Sequence, residues 1–340
     1  VNENTGQISV NKAELDYETR KGGYALRYKA TDRATPPLSE TTDVFVTVMD
    51  VNENPVVTPM TGYMNENVDV GTPVFASISS SQKLVVTFAD EDVCQTPSYS
   101  ITASTDPGRF TITSQGVIEL ASAGLNYELL KSRSPSYSIT MTVRVTDNAV
   151  NCQFPTQTHG EGVKFGEAQY TIKIGDVQEA PVVSDMTVSV NENSGKGTLI
   201  GTQIRATDDD NTDDEGKQVL KFTILKIMRK KWSDGIEYPM ASTSYFDITS
   251  EMDSDGKIGL GNLKINEIPN YEEYTQYVVT LQTTDTDGDG TVHFTDVEST
   301  VTINIINVNE APYRDTSITQ PIIQIAENSN IGTTLAASFK

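Results

Sequence analysis

Positive charge is scarce in this chain of 340 residues: 25 Lys and Arg face 47 Asp and Glu, a formal net charge of -22. Such a chain lacks the basic footprint that nucleic acid requires, disfavours contact with anionic membranes, and has cations as its natural counter-charge. Histidine is equally sparse. His159 and His293 stand far apart, each in or beside a loop, without a second imidazole or a Cys pair at metal spacing, so both read as surface or turn residues. No Gly-rich phosphate loop follows a strand and opens a helix. An enzyme is not expected. There is also no signal peptide, no apolar run of membrane-spanning length and no Asn-x-Ser/Thr glycosylation acceptor. Helical periodicity of useful length is missing too.

What the chain does have is repetition. Asp50-Val51-Asn52-Glu53-Asn54-Pro55 returns as Asp176-Val177-Gln178-Glu179-Ala180-Pro181 and as Asn307-Val308-Asn309-Glu310-Ala311-Pro312, each after an alternating apolar pattern. An acidic triplet follows each one: Asn65-Glu66-Asn67, Asn191-Glu192-Asn193 and Ala326-Glu327-Asn328. Spacings of this length are those of whole domains. The predicted divisions are 1–54, the C-terminal part of a repeat; 55–180 and 181–311, complete repeats; and 312–340, the start of another. Beginning and ending inside repeats is what a piece of a longer protein would show.

The local pattern is β. Tyr137, Ile139, Met141, Val143 and Val145 alternate with polar residues, as do Tyr170, Ile172 and Ile174, and Val301, Ile303 and Ile305. Gly, Pro, Asn, Asp and Ser separate these runs. The expected fold class is all-β: tandem two-sheet sandwiches with Greek-key connections, built from short antiparallel strands.

Acidic motifs recur in one order. Repeat 2 has Glu66, Asp90-Glu91-Asp92, Leu125-Asn126-Tyr127-Glu128, Asp147 and the Asp176 linker. Repeat 3 has Glu192, Asp208-Asp209-Asp210, Pro269-Asn270-Tyr271-Glu272, Asp285 and the Asn307 linker. Repeat 1 supplies Leu15-Asp16-Tyr17-Glu18, Asp32 and the Asp50 linker. This ordered set resembles the cadherin extracellular repeat, with its strand-A Glu, Asp-x-Asp, Leu-Asp-Arg-Glu, Ala-x-Asp and Asp-x-Asn-Asp-Asn motifs. The linker departures toward Glu-Ala-Pro look more like cadherin-type repeats of invertebrates, protists or bacteria than like vertebrate adhesion cadherins.

The resemblance implies calcium ions shared between consecutive domains. The first joint would use Asp16, Glu18, Asp50, the Val51 carbonyl, Asn52, Glu53 and the Asn54 carbonyl, with Asp90, Asp92 and Asp147; Asp32 holds the corresponding Ala-x-Asp position of repeat 1. The second would use Glu66, Asn126, Glu128, Asp176, Gln178 and Glu179, with Val177 and Ala180 in the carbonyl positions and Asp208, Asp210 and Asp285 from repeat 3. The third has Glu192, Asn270, Glu272, Asn307, Asn309 and Glu310. The chemistry suits the name, because calcium takes roughly 6–8 oxygens from carboxylates, amides and backbone carbonyls. Seven of the second set are carboxylates, which repel one another without a counter-ion.

The implied function is a calcium-rigidified extracellular or cell-surface segment of a cell-adhesion protein, with homophilic or lateral protein contacts as partners; a subunit of an extracellular filament or matrix is the second reading. If Asp92 and Asp147 share an ion, Cys94 and Cys152 lie on neighbouring loops within bridging reach, the alternative being two buried free thiols. Asp285-Thr286-Asp287-Gly288-Asp289-Gly290 fits half of an EF-hand loop, but it runs to Asp296 rather than Glu and strands flank it, so an enlarged Ala-x-Asp turn with Asp287 and Asp289 solvated is expected. Asp253-Ser254-Asp255-Gly256 reads as a hairpin turn. The basic island at residues 226–232 is either an edge-protecting strand end or a partner patch anchored by Trp232, the single tryptophan. Trp232 is far from any domain start, so adhesion by tryptophan strand exchange has no support.

Overall fold

The structure, a computed structural model, describes residues 1–12, 14–133, 136–211, 218–287, 290–295, 297–311, 325 and 327–333. Asp289, Asp296, Pro312 and Ala326 lie outside them, as does most of the fourth repeat start. The chain forms two compact units, Val1–Glu179 and Ala180–Lys340.

The first unit opens with an antiparallel hairpin, β1 (Tyr24–Thr31) and β2 (Ser39–Val46). The linker of Asp50 to Pro55 then leads into a sandwich of β3 (Val56–Val57), β4 (Met60–Asn65), β5 (Phe88–Ala89), β6 (Ser98–Ser104), β7 (Phe110–Ile112), β8 (Ile118–Leu120), α1 (Tyr127–Arg133), β9 (Ser138–Thr146) and β10 (Phe165–Gly175). The main sheet runs β4-β10-β9-β6, and the pairs β3-β5 and β7-β8 build the facing layer. β10 is antiparallel to β9 but parallel to β4, a pairing that alternation alone does not reveal. Along β9 and β10 the predicted apolar positions Ile139, Met141, Val143, Val145, Tyr170, Ile172 and Ile174 are all buried, packed with Val74, Leu84, Ile118 and Leu120. Each such aliphatic side chain removed from water contributes about 1.5–3 kcal/mol before the entropy of ordering is counted. Gly166 has a positional reason: a Cβ there would fall on the Pro55 carbonyl oxygen, so only glycine lets the linker pass β10.

The second unit repeats this plan with β11 (Val182–Val183), β12 (Met186–Asn191), β13 (Ile204–Thr207), β14 (Lys221–Lys231), β15 (Glu237–Pro239), β16 (Phe246–Met252), β17 (Ile258–Ile265), β18 (Tyr274–Thr284) and β19 (Val297–Ile306). Its sheets are β11-β13-β17-β16 and β12-β19-β18-β14-β15, again with β12 parallel to β19. Tyr277, Leu281, Val301, Ile303 and Ile305 meet Ile227, Leu263 and Ile265 in the core.

Residues 253–256 turn the chain from β16 to β17, and Asp253 Oδ1 accepts the N–H groups of Lys257 (2.7 Å) and Ile258 (3.0 Å). The basic island lies on β14, which β15 covers as the edge strand, and Trp232 beyond it is exposed. Asp285, Thr286 and Asp287 follow β18, and among the described residues no helix flanks them; Gly288 and Asp289 lie outside the described residues. One helix was not foreseen: α1 spans 7 residues, too few for its periodicity to show, and Asn126 caps it by accepting the Leu129 N–H at 2.6 Å. No helix among the described residues is long and apolar enough to cross a membrane.

Candidate metal centre

The eleven residues of β10 separate two acidic ends of the first unit's sandwich by about 35 Å. At one end, the first linker is fastened into the loops that follow β5 and β9. Asn52, 3% exposed, donates from Nδ2 to Asp147 Oδ2 (3.1 Å) and the Gly162 carbonyl (2.8 Å), while its Oδ1 accepts from Gln95 Nε2 at 2.6 Å. Asp50 Oδ2 accepts the N–H groups of Cys152 (2.6 Å) and Gln153 (3.2 Å). The Cys94–Cys152 disulfide joins the same two loops, as the pairing argument anticipated.

Several carboxylates here are divided in function. Asp50 Oδ2 and Asp92 Oδ2 hold backbone N–H groups, the latter that of Glu53 at 3.1 Å, whereas Asp50 Oδ1 and Asp92 Oδ1 are buried without a hydrogen-bond donor. Glu18 Oε1 and Glu53 Oε2 are likewise buried without one. Glu18, Glu53 and Asp92 bring oxygens within 4.8 Å of one another, and Asp16, Glu18 and Glu91 form an adjoining group. Asp90 stands beside them, its Oδ1 accepting the Asp92 N–H at 3.1 Å. Burial first, then the charges of Asp92, Glu18, Glu91 and Asp50, pushes the Glu53 carboxyl up to about 7. Burial also raises Glu18, Asp90 and Asp92, each with neighbouring carboxylates adding to it. Bare, mutually repelling buried oxygens are the donor set a hard divalent cation satisfies.

At the other end, Glu66 is a clamp. Its Oε2 accepts the Tyr127 N–H at 2.5 Å and its Oε1 the Val177 N–H at 2.9 Å, tying α1 to the linker that follows β10. Glu66, Glu128 and Glu179 place carboxylate oxygens within 4.8 Å of one another, and Asn67 donates to Glu179. Asp176, Gln178 and Ala180 line the same linker.

The second unit builds the same devices. Glu192 accepts the N–H groups of Tyr271 and Val308, each at 2.8 Å. Burial opposes ionisation of Glu192, yet those two N–H groups outweigh it and hold the carboxyl below its ordinary value. Asn193 donates to Glu310, as Asn67 does to Glu179, and Asn307 donates to Glu272 at 3.4 Å. Asn270 accepts the Glu272 N–H and Asn309 is exposed on the linker. Asp208 Oδ1 accepts the Asp210 N–H (3.1 Å) and Asp285 Oδ1 accepts the Phe294 N–H (2.7 Å); Oδ2 of each is buried without a donor. Burial, reinforced by Asp210 and Asp285, pushes Asp208 up to about 7.

Asp32 joins none of the acidic groups found among the described residues; it lies past the end of β1 and accepts the N–H groups of Ala34 and Leu38. Two expectations need correction. His159 is not a surface residue: its side chain is 4% exposed, with Nε2 at 3.4 Å from Asp50 Oδ2 and 4.0 Å from Asp92 Oδ1. Asp287 is not simply solvated but pairs with His293 at 2.8 Å, which raises the imidazole above its ordinary value. Sequence reasoning also passed over Glu91, the middle of an acidic triplet, and Asn67 and Asn193. The signal for the asparagines was present, because Asn ends all three triplets; Asn67, Asn193 and Asn328 each take a positive φ that Asn tolerates.

Comparison with known proteins agrees with this architecture. Residues 1–49 match the family profile described as the cadherin domain. The chain is 33% identical over 219 residues to the human protein "Cadherin EGF LAG seven-pass G-type receptor 2", covering 62% of this chain and 6% of that one. It is 29% identical over 218 residues to mouse "Protocadherin Fat 4", covering 61% and 4%. It thus spans only a small part of the curated relatives it matches. Among solved structures, "PcdhgB3 EC1-4" covers 88% of this chain with 60% of its own length, at a TM-score of 0.52 and 19% identity, a likeness of fold. Residues 1–49 thus match a cadherin domain, and the chain resembles tandem cadherin repeats in sequence and in fold.

Proposed function

We propose that this chain is a calcium-binding extracellular segment of a cell-adhesion protein, in which the metal stiffens the linkers between repeats bounded at residues 54, 180 and 311. One observation carries the reading: at the first linker, buried carboxylate oxygens of Glu18, Asp50, Glu53 and Asp92 converge without hydrogen-bond donors. They come from three separate stretches of chain. An ion there would be held by those residues with Asp16, Asp90, the Asn52 amide oxygen and Asp147. Glu66, Glu128, Asp176 and Glu179 in the first unit, Asp208, Asp210 and Asp285 in the second, and Glu272, Asn307 and Glu310 at its end are the further ligands. Bound calcium supplies positive charge that offsets the repulsion among these groups. The protein contributes aim: Cys152, Gln153 and Glu53 N–H groups fix one oxygen of each aspartate and leave the other facing inward.

Calcium titration by calorimetry, with limited proteolysis of the first linker, tests the proposal. Binding in the 10⁻⁴–10⁻³ M range of extracellular modules is expected, with calcium protecting the linker from cleavage. The double substitution Glu53→Gln and Asp92→Asn should remove that protection. No calcium heat up to 10 mM, or equal cleavage with and without chelator, would refute it.

A further inference from the structure

Calcium explains the carboxylates of the first linker but not the imidazole among them. His159 sits in the loop between β9 and β10, which the disulfide ties to the Asp92 loop, and its own N–H is fixed on the Ala149 carbonyl at 2.8 Å. Its side chain is almost wholly enclosed, and Nε2 has no hydrogen-bond partner although it points at Asp50 and Asp92. A nitrogen held this way costs desolvation and returns nothing to a calcium ion, whose ligands are oxygens.

We propose that Asp50, Asp92 and His159 form a mixed carboxylate–imidazole site for a borderline divalent transition ion of the zinc class. One ligand atom from each residue lies within 4.8 Å of the other two, and Nε2 lies 3.4 Å from Asp50 Oδ2 and 4.0 Å from Asp92 Oδ1, at and somewhat beyond the ligand spacing around a small ion. A tetrahedral ion with bonds of about 2.0–2.1 Å separates its ligand atoms by roughly 3.4 Å. Imidazole with carboxylate suits zinc or cobalt far better than calcium or magnesium. The surroundings also orient the ligands: the Glu53 N–H holds Asp92 by Oδ2 and leaves Oδ1 toward Nε2, while the Cys152 and Gln153 N–H groups fix Asp50 through Oδ2, the oxygen nearest Nε2, and leave its Oδ1 without a donor. Glu53 or water completes the coordination. The site shares two aspartates with the proposed calcium set, but it requires only the three side chains named.

Zinc and cobalt titrations of the intact chain test it. Long-range ¹H–¹⁵N spectra of the imidazoles should show the His159 Nε2 signal moving to a metal-bound position and saturating near one equivalent of Zn²⁺, with His293→Gln used to assign the signal. His159→Gln should weaken Zn²⁺ binding at least tenfold, since losing even an outer partner of a ligand costs about 10–100-fold. Cobalt should give visible bands in the natural chain that the variant loses. An unmoved His159 signal, zinc perturbing His293 alone, or unchanged zinc affinity in His159→Gln would each overturn the proposal. If the variant does not fold, the spectrum of the natural chain decides alone. Calcium calorimetry run in parallel separates the two readings, since calcium binding without zinc binding defeats this site only, and zinc binding without calcium binding defeats the linker proposal only.

Discussion

The side-chain amide of Asn52 donates to the carboxylate of Asp147 across 3.1 Å, although 95 residues separate them in the chain. The linker is thereby part of the sandwich that follows it. Asn52→Ala would remove three hydrogen bonds and leave Asp147 Oδ2, the Gly162 carbonyl and the Gln95 amide with fewer partners. A loss of about 2–3 kcal/mol is expected in urea denaturation of the metal-free chain. A loss under half a kcal/mol would mean that the linker is not pinned as described.

Glu66 and Glu192 act alike, each holding two backbone N–H groups from separate segments. Replacing either by Ala forfeits two charge-assisted bonds and is expected to cost about 3 kcal/mol. Hydrogen exchange localises the effect. Glu66→Ala should speed exchange at Tyr127 and Val177 and leave Tyr271 and Val308 unchanged; Glu192→Ala should do the reverse.

The disulfide spans 58 residues of sequence separation. Substituting both cysteines by Ser should lower stability by about 4 kcal/mol in the chain-entropy account. Because Cys152 also presents its N–H to Asp50, calcium affinity should fall with it. Peptide mapping without reduction is expected to recover Cys94 linked to Cys152.

Glu53 and Asp208 stand near 7, above ordinary values of 4.5 and 3.8. Between those ordinary values and about 7, the folded metal-free chain retains protons that the unfolded chain has released, so these groups contribute stability at low pH that is lost as pH rises to neutrality. Glu192, held low by its N–H partners, works oppositely: its contribution is present above its ordinary value and lost as pH falls through the folded one. Metal-free unfolding should therefore show stability declining from pH 5 to 7.5 in a manner that Glu53→Gln and Asp208→Asn together flatten. Calcium added at pH 7 should release protons into a weak buffer, and calorimetry in buffers of different ionisation heat measures it.

Much of this protein is written locally. Alternation at 139–145, 170–174 and 301–305 identifies the buried faces of β9, β10 and β19, because a strand exposes successive side chains to opposite sides whatever its partners are; Tyr137, counted in the same alternation, instead precedes β9 at a positive φ and is half-buried. The linker repeats and acidic triplets likewise mark the ends of the sandwiches, since turns and strand ends are read from neighbouring residues. Pairings across long separations are of another kind. That Glu66 serves the backbone as a clamp, that β4 runs parallel to β10, that Asp32 stands apart from the acidic groups, and that His159 turns inward between Asp50 and Asp92 are all decided by where loops cross at the end of a closed sandwich. His159 shows the difference most plainly: a lone histidine in a polar loop has the local signature of a surface residue, and only the packing of two loops stapled by Cys94 and Cys152 over the linker takes it out of water.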